Sequence, residues 1–122
     1  MALTTRKQVQ GKIVLINEVL PPYDDKTGKH HYESVSPART LGPATASKLG
    51  AKAALVRSIT AKSLGTIHTG MTRFDSLGAK PIPAASITLE DAERLVRLND
   101  EGSVRIRLRL DAKWLEDAPS HN

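Results

Sequence analysis

Gly11-Lys12-Ile13-Val14-Leu15-Ile16-Asn17 contains four consecutive apolar residues, three of them β-branched, which predicts a strand buried on both faces. A second apolar run, Ala53-Ala54-Leu55-Val56, predicts another strand of the same kind. Between the two, Pro43 to Leu49 is rich in small residues, and Gly50 follows as a suitable helix end. The order strand, helix, strand predicts a parallel pair joined by a right-handed crossover.

The C-terminal half adds three further elements to this unit. Residues 83–87 predict a short third strand, and Thr88, with Asp91 three residues later, predicts the start of a helix. Residues 103–110 alternate strictly between apolar residues and arginine, which predicts a strand with one buried and one wet face. Residues 21–42 and 59–81 are turn-rich, the former with a hairpin near Gly28, and loops of such length are commonly functional or disordered.

Composition limits the kinds of protein this chain can be. Its 122 residues fit one domain, and the absence of cysteine excludes disulfides and cysteine metal sites. No apolar run approaches the roughly 20 residues of a membrane span, and the polar residues 1–10 lack the centre of a signal peptide. The net charge of +5 raises nucleic acid as a partner.

Three stretches together carry a family resemblance: Gly11 to Ile16, Ala51 to Thr60 and Ile82 to Glu93, with His68-Thr69-Gly70 between the last two. In this order they resemble the protease-associated domain of zinc exopeptidases of the carboxypeptidase Q type. The resemblance implies an α/β fold, a three-layer β/β/α arrangement of the swivelling type, with a mixed sheet and two main helices. It also implies that residues 1–122 are a single protease-associated domain cut from a larger metallopeptidase.

The same resemblance implies a role without catalysis. The domain would shape or cover the substrate cleft of a two-zinc aminopeptidase-like domain, or mediate contacts between domains or within a dimer. Its expected partners are that peptidase domain and a peptide substrate, and a homodimer of the parent protein stays open. The parent would be secreted or periplasmic and would hold zinc, whereas this chain is expected to hold no cofactor and to contact no membrane.

The residues themselves argue against hydrolysis by this chain alone. A two-zinc peptidase needs a cluster of histidine and carboxylate ligands with a carboxylate base. The chain has four histidines, His30, His31, His68 and His121, but neither a His-x-Asp pair nor a His-Glu-x-x-His motif. His30-His31 beside Asp24-Asp25 permits a metal site or a solvated hairpin, and the hairpin is favoured because adjacent side chains rarely converge. No catalytic and no metal-binding residues are therefore assigned.

Two short motifs are candidates for the substrate cleft or an interdomain contact. His68-Thr69-Gly70 lies in the loop of residues 59–81, where it could hydrogen-bond substrate or instead hold the loop together through its imidazole. Arg57-Ser58 follows a parallel strand at the sheet edge where α/β proteins tend to bind ligands, although an arginine there could also bind loop carbonyls.

The arginines of residues 103–110 form a basic stripe, Arg105, Arg107 and Arg109. One alternative function is a nucleic-acid or polyanion-binding module that uses this stripe. Almost no aromatic residues are interleaved for base stacking, so nucleic acid is not the expected partner. A solvated face, a protected edge strand and a docking surface for the peptidase domain are the other interpretations.

Overall fold

The computed structural model describes residues 6–113 and 115–120, so residues 1–5, Trp114, His121 and Asn122 lie outside the description. The chain order of its helices and strands begins with two short elements, α1 (Arg6–Val9) and β1 (Ile13–Ile16). Then follow α2 (Tyr32–Thr40), α3 (Gly42–Lys48), β2 (Ala53–Arg57), a 3-10 turn (Asp75–Leu77), β3 (Ala84–Ile87) and α4 (Leu89–Glu101). The predicted α/β class is confirmed.

The three strands form a sheet in the order β1-β2-β3, and both neighbouring pairs are parallel. Ile13 pairs with Ala53, and Ala54 pairs with Ala84. All five residues of the central strand are buried, as the continuous apolar run predicts. The predicted strand-helix-strand unit is confirmed, and the sheet of the described residues is parallel where a mixed one was expected.

Helix α3 packs on one face of the sheet, and α4 lies across a groove from the other. Val14 packs with Val9, Ala46 and Ala51 on the face towards α3. Because successive strand residues alternate between faces, Ile13 and Leu15 of β1 point the other way. They line a groove together with Leu55 and the α4 residues Leu95 and Val96.

The predicted start of α4 is confirmed. The Thr88 hydroxyl oxygen accepts a hydrogen bond from the backbone N–H of Asp91 at 3.0 Å, which satisfies one of the free donors of the first turn. Ala92, one turn further on, is fully buried against the rest of the domain.

Helix α2 is the main departure from the prediction of an irregular stretch over residues 21–42. No side chain caps its start after His31, and Pro37 lies inside it. The sequence therefore lacks a capping signal for this helix and contains a residue that usually interrupts one. Val35 is buried, and α2 packs on α3. Tertiary contact rather than local preference therefore accounts for the helix. The predicted hairpin exists, with a bridge between Asp24 and Lys29.

The prediction of a paired strand over residues 103–110 is wrong, because no bridge is formed there within the described residues. The predicted alternation is nevertheless present: Val104, Ile106 and Leu108 are half-buried, whereas the intervening arginines are exposed. Within residues 6–113 and 115–120, no helix is long and apolar enough to cross a membrane.

Candidate functional site

The candidate site lies where the loop that follows β2 meets helix α2. Ser58 comes directly after the strand and is buried. Its hydroxyl donates to the carbonyl oxygen of Ile87 at 2.8 Å and accepts the backbone N–H of His68 at 2.9 Å. Two residues singled out from the sequence, Ser58 and His68, are thus brought together at the carboxyl edge of the sheet.

Contacts on both ring nitrogens fix the His68 imidazole. Nδ1 lies 2.6 Å from the carbonyl oxygen of Ile59. Because a carbonyl oxygen only accepts, Nδ1 carries the proton in the neutral ring, and Nε2 is left as an acceptor. Nε2 faces Nη1 of Arg39 at 3.5 Å, the long end of hydrogen-bond range. The loop-holding role considered for His68 is therefore present, and it is combined with an approach to a cation.

Arg39 of α2 is the residue of this site that sequence reasoning missed. Its guanidinium carbon lies 5.8 Å from the ring centroid of Tyr32, and the Tyr32 ring stacks on His68 with centroids 5.7 Å apart. Arg39 Nε is buried with no hydrogen-bond partner among the described residues. No carboxylate of residues 6–113 or 115–120 forms an ion pair with Arg39, so its charge is uncompensated there.

Gly70 leaves room for this arginine. A Cβ on Gly70 would lie 2.6 Å from Arg39 Nε and 2.7 Å from its guanidinium carbon, closer than side-chain contacts allow. Thr69 and Gly70 line a cavity of about 400 Å³ together with Arg39, Ile67 and Ser86. All three residues of the predicted motif therefore belong to the surroundings of one guanidinium.

Arg57 does not join this group. Its buried guanidinium donates to a Glu93 carboxylate oxygen at 3.0 Å and to the side-chain oxygen of Asn17 at 3.3 Å. Since neighbouring residues of a strand point to opposite faces, Arg57 and Ser58 separate. Arg57 ties β2 to α4 through side chains rather than through the loop carbonyls considered above.

The tip of the loop is held by α4. One Glu90 carboxylate oxygen accepts the backbone N–H groups of Leu64 at 3.2 Å and Gly65 at 3.3 Å. A hydrogen bond from the Ser63 hydroxyl is the main cause that lowers the pKa of the Glu90 carboxyl. A depressed carboxyl pKa favours the folded form above the ordinary pKa, and this contribution is lost on acidification through the lowered value. The clamp on the loop is thus complete at neutral pH.

The described residues hold no group of three or more histidine, cysteine, aspartate or glutamate side chains placed to bind a metal ion. Asp24 instead closes its own hairpin by accepting the backbone N–H of Lys26 and the hydroxyl of Thr27. The Thr27 hydroxyl is the main cause that lowers the pKa of Asp24. His30 accepts the backbone N–H of Tyr32 through Nδ1 at 3.3 Å. The donor set of the described residues does not fit a two-zinc centre, so no chemical step is derived through zinc.

The sequence of this chain is similar to part of the carboxypeptidase Q proteins. Human carboxypeptidase Q is 36% identical over 116 residues, which cover 94% of this chain and 22% of that protein. Carboxypeptidase Q of Xenopus laevis is 38% identical over 117 residues, or 95% of this chain and 23% of the relative. The chain therefore spans between a fifth and a quarter of the length of these relatives. No family model matches the sequence.

The fold of this chain is also similar to part of a solved peptidase structure. The crystal structure of a peptidase M28 precursor from Shewanella amazonensis superposes with a TM-score of 0.64 at 28% identity, covering 80% of this chain and 23% of that one. These similarities give no support to the alternative of a polyanion-binding module. The chain is thus similar to one segment of the carboxypeptidase Q peptidases, and its predicted resemblance to exopeptidases of the carboxypeptidase Q type is confirmed.

Proposed function

We propose that this chain is a non-catalytic protease-associated domain of a secreted or periplasmic zinc exopeptidase, and that its Arg39 site borders the cleft for peptide substrates. The observation that carries the proposal is Arg39 itself. It is a cation without a carboxylate partner among the described residues, and it lines a cavity together with Val56 of β2 and Ala84 to Ser86 of β3. An arginine so placed suits an anionic or carbonyl oxygen of a peptide.

The surrounding contacts support positioning rather than chemistry. His68 donates through Nδ1 to a backbone carbonyl, and Ser58 donates its hydroxyl to another, so neither is arranged as a base and a nucleophile for each other. Both groups instead hold the loop against the end of the sheet. In the parent protein, zinc bound by the peptidase domain would supply the activated water, and this domain would orient the peptide and limit which peptides enter.

The isolated chain is expected to release no product from dipeptides or aminoacyl chromogenic substrates, with or without added zinc, because its described residues supply no metal-ligand cluster. The measurement is absorbance at saturating substrate over several hours, with the full-length peptidase as the positive control. Zinc-dependent turnover by the isolated chain would refute the non-catalytic assignment.

Gly70→Ala in the full-length peptidase tests the cleft role. The added methyl must displace the Arg39 guanidinium, the mobile end of a long side chain, so the protein should stay folded while the site is disturbed. We expect KM for peptides to rise about fivefold, which corresponds to a contact weakened by about 1 kcal/mol. The midpoint of thermal unfolding should change little.

Gly102→Ala is the matched control, because a Cβ at Gly102 meets nothing within 4 Å. Its KM should equal that of the unmodified enzyme. If Gly70→Ala and Gly102→Ala had the same kinetics, Gly70 would serve only to pack the loop.

A further inference from the structure

Residues 103–110 lie against an apolar groove without completing it. Val104 and Ile106 line this groove, a space of about 360 Å³, together with Ile13, Leu15 and Leu55 of the sheet and Leu95 of α4. Leu110, at the other end of the segment, lines the cavity beside Arg39. The segment thus runs from the groove to the candidate site, with Val104, Ile106 and Leu108 half-buried, and with Leu110 and the arginines exposed.

The backbone of this segment is unpaired. Among the described residues, no hydrogen bond joins any backbone N–H or carbonyl oxygen of residues 103–110 to a partner. A row of free backbone groups on a half-buried, alternating segment is a template for an added strand. The alternating sequence and the alternating burial of residues 103–110 are both typical of a strand. Among the described residues, however, no neighbouring strand pairs with this segment.

The charges of residues 103–110 indicate which kind of strand could pair with them. Arg105, Arg107 and Arg109 are exposed, and the only ion pair they form with residues 6–113 and 115–120 joins Arg109 and Asp111 at 3.2 Å. These two side chains are 85% and 78% exposed. Exposed pairs of this kind contribute little. A second copy of the chain that paired here in antiparallel fashion would set arginine against arginine, which disfavours the pairing. Carboxylates at alternate positions would satisfy the stripe instead.

We propose that residues 103–110 bind an extended polypeptide strand whose side chains alternate between carboxylates and apolar residues. Its backbone would complete the hydrogen bonds of the segment, its carboxylates would lie beside the three arginines, and its apolar side chains would extend over the groove. This inference does not rest on the cleft role of Arg39, since it uses the backbone and the arginines of residues 103–110 and does not require a substrate.

The probes are two acetylated and amidated octapeptides, one of alternating glutamate and valine and one of alternating lysine and valine. Binding is followed on the 122-residue chain by NMR, and hydrogen exchange reports the protection of individual amides. We expect the glutamate peptide to bind at least tenfold more tightly than the lysine peptide. Amides within residues 103–110 should exchange at least tenfold more slowly in its presence.

One protein variant and one modified peptide separate strand pairing from simple charge attraction. The Arg105→Glu/Arg107→Glu double variant should prefer the lysine peptide, which also shows that the segment remains in place. A glutamate peptide with every backbone nitrogen N-methylated should lose binding, because its backbone can no longer donate from either edge. The proposal is overturned by equal binding of both peptides, by full binding of the N-methylated peptide, or by absence of protection at residues 103–110. Protection that rises with protein concentration alone would overturn it in favour of self-pairing.

Discussion

Ile59→Ala is expected to lower the free energy of unfolding by about 2–5 kcal/mol, the range for truncating a large aliphatic side chain in a packed core. Ile59 is among the largest fully buried side chains, with 2% of its surface exposed. It directly follows Ser58, and its carbonyl oxygen accepts the His68 ring nitrogen. A cavity at this point would loosen the start of the loop that carries the candidate site, as well as the core. Urea unfolding of the isolated chain, followed by far-UV circular dichroism, measures the loss.

The same loop supplies the control. Ile67 is 53% exposed, so Ile67→Ala should change the free energy of unfolding by less than about 0.5 kcal/mol. Ile59→Val, which removes one methylene, should cost about 0.5–1.5 kcal/mol. Equal losses for Ile59→Ala and Ile67→Ala would mean that the Ile59 side chain does not anchor the loop.

The parts of the fold that were predictable are those whose signals are local. The continuous run of apolar residues in β2 predicts a strand with no solvent-exposed face, and all five of its residues are buried. The Thr88 hydroxyl at the start of α4 occupies the N-cap position. Gly50 adopts a φ of 86° after α3, the left-handed conformation that its place beyond a helix predicts. Each of these features depends on a few neighbouring residues, which is why the sequence is sufficient.

The parts that were missed depend on residues distant in sequence. Helix α2 contains Pro37 and has no capping side chain, so only its packing on α3 reveals it. Arg39 was missed with the helix that carries it, and its relation to His68 spans 29 positions. For residues 103–110 the period of two was read correctly, but a period cannot show whether a neighbouring strand exists. The candidate site was therefore predicted in its loop half, Ser58 and His68 to Gly70, and missed in its cationic half.

Arg39→Leu in the full-length peptidase is expected to lower kcat/KM for peptides about tenfold to a hundredfold, mainly through KM. The expectation follows from losing a hydrogen bond between charged groups, worth about 1.5–3 kcal/mol. The kcat/KM of Arg39→Lys should lie between those of Arg39→Leu and the unmodified enzyme, because lysine keeps the charge but not the planar pair of donors. Arg97→Leu, on the exposed surface of α4, is the control and should leave both constants unchanged.

Substrate chemistry distinguishes binding by Arg39 from a purely structural role. If Arg39 pairs with an anionic group of the peptide, amidation of the substrate carboxylates should remove most of the difference between Arg39→Leu and the unmodified enzyme. If Arg39 only braces the loop through Tyr32 and His68, ionised and amidated substrates should lose activity equally. Full activity of Arg39→Leu on ionised peptides would remove this residue from the cleft. On the proposed function, an anionic group of the peptide would be the partner that the described carboxylates do not give Arg39.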